Sequence, residues 1–168
     1  MPATPEELFA YLDQLGIAHS TVSHPPLFTV EQSQSLRGRI PGGHSKNLFL
    51  KDKTGRIFLL VLLEDASVDL KALPTILGSG RLSFGSAELL RETLGVEPGS
   101  VTPFALINDR DALVTPVLDQ AMMAHEVLNY HPLVNTMTTS IRADELVKFV
   151  AASGHSPLIL AVSKGSAA

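Results

Sequence analysis

Apolar and polar positions repeat with two different periods along this chain, and each change of period marks an element. Leu8, Phe9, Tyr11, Leu12 and Leu15 recur at helical spacing. Ahead of them, Thr4-Pro5-Glu6-Glu7 supplies a cap, a proline suited to the first helical position and the glutamate of a capping box; Gly16 closes the helix. Residues 17–22 alternate as a strand. His24-Pro25-Pro26 ends it, since two prolines remove two backbone donors. Thr29 caps a short helix predicted over residues 30–36, and residues 38–43 read as loop.

The middle of the chain is extended. Residues 47–51 and 56–63 predict two strands, joined by the turn Asp52-Lys53-Thr54-Gly55. Residues 68–77 predict a short amphipathic helix interrupted by Pro74. Ser86 caps a clearer helix over 87–94, which stops at Gly95, and Glu97-Pro98-Gly99 is a turn. Residues 104–107 and 113–118 read as strands, the second marked as an edge or bulge by Pro116. A helical turn is expected over 119–124, extended chain over 126–130 and 136–141, a helix over 144–152 stopped by Gly154, and a last strand over 158–162. Hairpins dominate the middle and helices flank them. That predicts an α+β fold with a mixed, mostly antiparallel, barrel-like sheet, in one domain spanning 1–168.

Composition narrows the function classes. Of 168 residues, 45% are apolar and 18% charged, enough for a core and too little charge for disorder. No apolar run approaches the ~20 residues of a membrane span, and the N-terminus has no basic-then-apolar leader, so a cytoplasmic protein is expected. The absence of cysteine excludes disulfides, thiolate metal sites and cysteine nucleophiles. The net charge of −4 argues against general DNA binding. Its distribution qualifies this: Arg37, Arg39, Lys46, Lys51, Lys53 and Arg56 are six of the 13 basic residues, opposed in that stretch by Asp52 alone. Such a run reads either as a solvated hairpin or as a patch that follows a phosphate backbone at one place.

Candidate chemistry lies in two polar clusters. Gly42-Gly43-His44-Ser45-Lys46-Asn47 puts an ammonium at the doorway of an apolar strand, where an unpaired charge is costly. Asn129-Tyr130-His131-Pro132-Leu133-Val134-Asn135-Thr136 holds an imidazole among amides. If they meet, a fixed cation and an imidazole share one site. The bland alternatives are a snorkelling lysine and a satisfied core histidine. Walker, GxGxxG, HExxH and GxSxG motifs are absent, and no two histidines have helical metal-ligand spacing, so no metal or cofactor is expected.

Five blocks in order resemble the YbaK family of prolyl-tRNA-synthetase-associated editing domains. They are His24-Pro25-Pro26-Leu27-Phe28-Thr29-Val30-Glu31; Ser45-Lys46-Asn47-Leu48-Phe49-Leu50; Arg81-Leu82-Ser83-Phe84-Gly85; Gly99-Ser100-Val101-Thr102-Pro103-Phe104-Ala105-Leu106; and the cluster around His131. The resemblance runs from Thr4 to Val162 and is most like the stand-alone members that hydrolyse alanyl-tRNA(Pro). It implies cleavage of the ester joining a wrong amino acid to the acceptor end of tRNA(Pro), with prolyl-tRNA synthetase as a further partner. It also implies roles. Lys46, Gly99 and His131 would be catalytic. Asn47 and the loop residues Ser100, Val101, Thr102 and Pro103 would bind substrate. The alternatives are a cysteinyl-tRNA(Pro) deacylase, or a non-catalytic adaptor on the same fold.

The chemistry asked of these residues is modest. An aminoacyl ester is already activated, so an oriented water and donors for the developing oxyanion suffice. Selection is a matter of size: a proline pocket cannot strongly reject a smaller side chain, because one methylene is worth only ~1–3 kcal/mol. A second site that admits the small acid solves this. Leu27, Phe28, Val30 and Phe49 would suit its walls, and would equally suit a core.

Overall fold

The computed structural model describes residues 2–25 and 40–164. Its centre is the strand β3 (Ile57–Leu63), whose apolar run IFLLVLL is buried on both faces. Alternation sends Leu59 and Val61 into one hydrophobic core and Phe58, Leu60 and Leu62 into another. This is why the run is continuous rather than alternating.

Eight strands form one sheet in the order β1-β7-β6-β2-β3-β5-β8, with β4 paired to β2. They are β1 (His19–Ser23), β2 (Gly43–Asp52), β4 (Leu82–Phe84), β5 (Val114–Asp119), β6 (Val127–Tyr130), β7 (Met137–Arg142) and β8 (Leu158–Leu160), besides β3. Four pairings are antiparallel and three parallel, as expected of a mixed α+β sheet. Four α-helices flank it among the described residues: α1 (Pro5–Gln14), α2 (Leu73–Leu77), α3 (Ala87–Leu94) and α4 (Ala143–Ala152). The capping box at Thr4 and Glu7 is formed, and Ser86 caps α3 as its sequence predicts. The larger core joins Leu8 and Leu12 of α1, Leu90 and Leu94 of α3, and Leu146 and Phe149 of α4 to that face of the sheet.

Four local expectations need correction. β2 begins at Gly43, not at residue 47, because Gly43 and His44 pair with β6; Lys46 therefore lies within the strand. Only Leu73–Leu77 of the 68–77 segment is helical, and Pro74 starts that helix rather than interrupting it. Residues 104–107 lie in a 3-10 helix, Pro103–Asn108, begun by Pro103 and by the Thr102 hydroxyl, which accepts the Phe104 N–H. Finally, β5 is interior, parallel to both β3 and β8. Pro116 pairs with Leu59 of β3, but β8 joins only from Val117 onward, so the proline sits where one side is unpaired. The helix predicted over 30–36, the residues Leu27, Phe28 and Val30, and the cations Arg37 and Arg39 lie outside the described residues.

Candidate active site

The two polar clusters are neighbours in the sheet. β2 and β6 run parallel, with Gly43 opposite Leu128 and His44 opposite Asn129. The Asn129 amide staples this junction by donating to the carbonyls of Pro41 (3.1 Å) and Gly43 (3.2 Å), and its own oxygen accepts the Ser140 hydroxyl. The pairing then stops. By strand alternation Lys46 and His131 both fall on the face of the sheet shared by His44 and Asn129.

The opposite face at this point is closed. Ser45 lies 3.6 Å from the sulfur of the buried Met122, and the Tyr130 hydroxyl donates to the same sulfur at 3.2 Å. Burial pushes the Tyr130 phenol well above its ordinary value, only partly offset by its hydrogen bond with Ser45. Lys46 itself is half-buried, and no described residue holds its ammonium in an ion pair or hydrogen bond. On the Ser45 face of the strand, the Asn47 side-chain oxygen is buried with no hydrogen-bond partner.

His131 is held by one nitrogen. Its Nδ1 lies 3.0 Å from the Met137 carbonyl. A carbonyl only accepts, so Nδ1 carries the proton. Burial lowers the imidazole below its ordinary value, the Met137 bond opposes this, and the charge on His24 lowers it further. The neutral ring therefore keeps a bare lone pair on Nε2, which no described residue engages. Leu133, two residues on, has φ +73° with its side chain buried in the larger core, so the turn carries backbone strain.

The glycine loop reaches this turn by two contacts. Phe104, just after Pro103, packs edge-on against Tyr130 at 5.9 Å between ring centres. A Cβ on Gly99 would meet a single described atom within 4 Å, the Asn135 amide nitrogen at 3.4 Å. Gly99 sits in a short 3-10 turn, Pro98–Ser100, anchored by the Ser100 N–H on the Glu97 carbonyl (2.8 Å), while Arg91 clamps the Glu97 carboxylate. Ser100, Thr102 and Pro103 are buried and Val101 half-buried; the Thr102 hydroxyl is spent on its cap.

Lys46 and His131 thus share a face of the sheet beside the β2–β6 junction, Asn47 lies on the other face of β2, and Gly99 approaches the turn after β6 at Asn135. His24 belongs there too and has no role in the sequence reading: its ring lies 6.3 Å from that of His131. Its sequence signals are its place ahead of two prolines and at the head of the first block of the family resemblance. The basic run has a second part. Lys51, Lys53 and Arg56 are exposed at the far end of β2 and the hairpin, and Arg81 joins them through the Lys53 N–H on its carbonyl (3.2 Å). Asp52 does not neutralise them, because it is buried and accepts from Thr54, Arg56 and Gly80. A groove of about 860 Å³ between α1 and α3 holds none of these residues, and its Arg91 is committed to Glu97. Among the described residues there is no His/Asp/Glu cluster able to hold a metal, and no helix long and apolar enough to cross a membrane.

Known proteins resemble this chain in sequence and in fold. A family model described as an aminoacyl-tRNA editing domain matches residues 24–149. The zebrafish prolyl-tRNA synthetase associated domain-containing protein 1 is 37% identical over 157 residues, covering 92% of this chain and 85% of its own. The prolyl-tRNA editing protein ProX of Acetoanaerobium sticklandii is 34% identical over 151 residues, covering 89% of this chain and 92% of its own. A crystal structure presented as a candidate trans-editing enzyme for prolyl tRNA synthetase superposes with a TM-score of 0.72 at 17% identity, over 98% of this chain and 100% of that one, which speaks for the fold. With its model matched across most of the length and two relatives above 30% identity, the chain belongs to the aminoacyl-tRNA editing domain family.

Proposed function

We propose that this protein is a trans-acting aminoacyl-tRNA hydrolase that deacylates mischarged tRNA(Pro), with alanyl-tRNA(Pro) as its substrate. The observation that carries the reading is His131, a half-buried imidazole fixed through Nδ1, whose Nε2 lone pair no described residue engages, on the sheet face that strand alternation also gives to Lys46. In the reaction, water adds to the ester carbonyl carbon. The bond to the terminal ribose oxygen breaks, that oxygen takes up a proton, and the free amino acid leaves an intact tRNA. Lys46 supplies positive charge to the developing oxyanion or to the terminal phosphate. His131 accepts a hydrogen bond from a ribose hydroxyl or from the amine of the substrate. The Asn47 oxygen suits the donors of a substrate ammonium, and the Gly99 loop offers backbone N–H groups at close range. Ser100, Val101, Thr102 and Pro103 hold that loop against the acceptor end. Lys51, Lys53, Arg56 and Arg81 continue the positive charge along β2, about 17 Å from Lys46 at five residues of strand rise, a reach suited to a phosphate backbone.

The test is deacylation of alanyl-tRNA(Pro) and cysteinyl-tRNA(Pro) side by side, with Lys46→Ala as control. Loss of the alanyl ester that depends on Lys46 is the expected result. Preference for the cysteinyl ester would move the substrate assignment. Equal activity of the two proteins would remove Lys46 from the mechanism, and inactivity of both on either ester would leave an adaptor.

A further inference from the structure

We propose that His24 is a positioning residue that fixes the tautomer and orientation of His131 through the segment 136–138, a role that rests on the reading of His131 as a substrate-contacting group. Both histidines grip the same three residues. The His24 backbone N–H donates to the Thr136 carbonyl at 2.9 Å. The His131 Nδ1–H donates to the Met137 carbonyl at 3.0 Å. The His24 Nε2 lies 2.7 Å from the Thr138 hydroxyl. The Met137 carbonyl that orients His131 is therefore bracketed on each side by a contact to His24.

Hydrogen-bond accounting gives this bracket a direction. The His24 Nδ1 lies 2.8 Å from the Pro25 carbonyl, which only accepts, so Nδ1 is the donor. With the proton of that tautomer on Nδ1, Nε2 is the acceptor for the Thr138 hydroxyl. Thr138 is 5% exposed, so its hydroxyl needs a partner inside the fold, and His24 provides one. The register between β1 and β7 sets Val22 opposite Thr138 and Ser23 opposite Met137, so His24 is the first residue beyond the paired strand. Strand pairing alone does not hold its ring; the side-chain bonds do. The two rings tilt at 53° to each other, 6.3 Å apart, close enough that a turn of the His24 ring would crowd His131. An imidazole free to exchange tautomers presents a donor at Nε2 for part of the time, where the substrate needs an acceptor. Losing the bracket costs orientation and not the group itself.

The experiment combines histidine ring-nitrogen NMR with single-turnover deacylation of alanyl-tRNA(Pro), on the full chain and the variants His24→Ala, Thr138→Val, Thr138→Ser and the His24→Ala/Thr138→Val double. In the parent protein His131 should show the Nδ1–H tautomer. His24→Ala and Thr138→Val should each mix the tautomers and lower kcat between about 10- and 100-fold, the usual loss when an oriented group is loosened but kept, with KM within about twofold. Thr138→Ser, which retains the hydroxyl, should restore the tautomer signal, and the double variant should be no worse than either single one. An unchanged His131 tautomer in His24→Ala, or additive losses in the double variant, would overturn the proposal. If the parent protein deacylates nothing, the functional reading fails, while the tautomer spectra still decide whether His24 positions His131.

Discussion

His155 and His131 are both withdrawn from solvent, yet they are built in opposite ways. His155 has both ring nitrogens occupied: Nε2 lies 2.8 Å from Asp109 and Nδ1 3.0 Å from the Ser153 hydroxyl. Asp109 also accepts the N–H groups of Leu113 and Val114, at 3.0 and 2.8 Å. The side chains of His155 and Asp109 are 1% and 2% exposed. Serine, histidine and aspartate are thus linked in the order of a nucleophilic triad, but sealed where no substrate reaches, and Ser153 also bonds the Val150 carbonyl at 2.8 Å. This is a clamp between the end of α4 and the start of β5. His131 has one nitrogen fixed and the other engaged by no described residue. A buried polar group with every valence met does structural work; one with a valence left over is set up for a ligand.

Exchanging the two losses tests that distinction. His155→Ala should cost about 3–5 kcal/mol, since it strips the buried Asp109 of its partner. The melting temperature would fall by roughly 6–20 °C, while the folded fraction turns over alanyl-tRNA(Pro) as before. His131→Ala should behave in reverse: a loss of about 100-fold in kcat, ~2.7 kcal/mol of barrier, with little change in melting. A destabilised but catalytically normal His131→Ala would erase the contrast, as would an inactive, fully stable His155→Ala.

The same contrast separates two glycines. A Cβ on Gly85 would lie 2.4 Å from the Phe49 ring, so packing forbids it. At Gly99 the single described neighbour is 3.4 Å away, an ordinary contact, and the residue is not among those with positive φ. The fold therefore tolerates alanine at 99, and whatever requires glycine there lies outside the fold. Gly99→Ala should melt at or slightly above the parent, by up to about 1 kcal/mol from a less flexible unfolded chain. It should deacylate about tenfold more slowly if the loop approaches substrate. Unchanged activity would take Gly99 out of the site.

Elements with strong local punctuation were legible in the sequence: α1 through its capping box, α3 between Ser86 and Gly95, and the turn at Asp52. What local pattern could not carry was partnership. β2 starts four residues early because β6 lies beside it, with Leu128 opposite Gly43 although 85 positions later in the chain, and the stretch after Pro103 coils because Phe104 packs on Tyr130 and Phe149. Lys46 and His131 were readable as candidates by residue type and by family resemblance. Their sharing one face of two parallel strands was not, since strand pairing is a long-range property. His24 was readable as a strand end and as the head of a family block, but not as a neighbour of His131, because its hydroxyl partner lies 114 positions away.

Acid titration gives the finest comparison, because His131 and Asp52 shift in the same direction for different reasons. Asp52 is held far below its ordinary 3.8, chiefly by the Thr54 hydroxyl and then by the N–H groups of Gly80, Arg56 and Thr54, against the cost of burial. His131 is held below its ordinary 6.5, chiefly by burial. Each folded-state value is depressed, so each group's contribution to stability is whole above its unfolded value and drains away as pH falls through the folded one. The windows open at different points, that of His131 at 6.5 and that of Asp52 at 3.8. From neutral pH down to about 6.5, neither stability nor kcat should change on account of His131. Further down, the neutral imidazole is lost and kcat falls, with an acid limb that His131→Asn abolishes. The hairpin loosens only below pH 3.8, and Asp52→Asn should remove that step from acid denaturation while leaving the kcat limb in place. An acid limb that followed Asp52 instead would mean that His131 serves the fold, as His155 does.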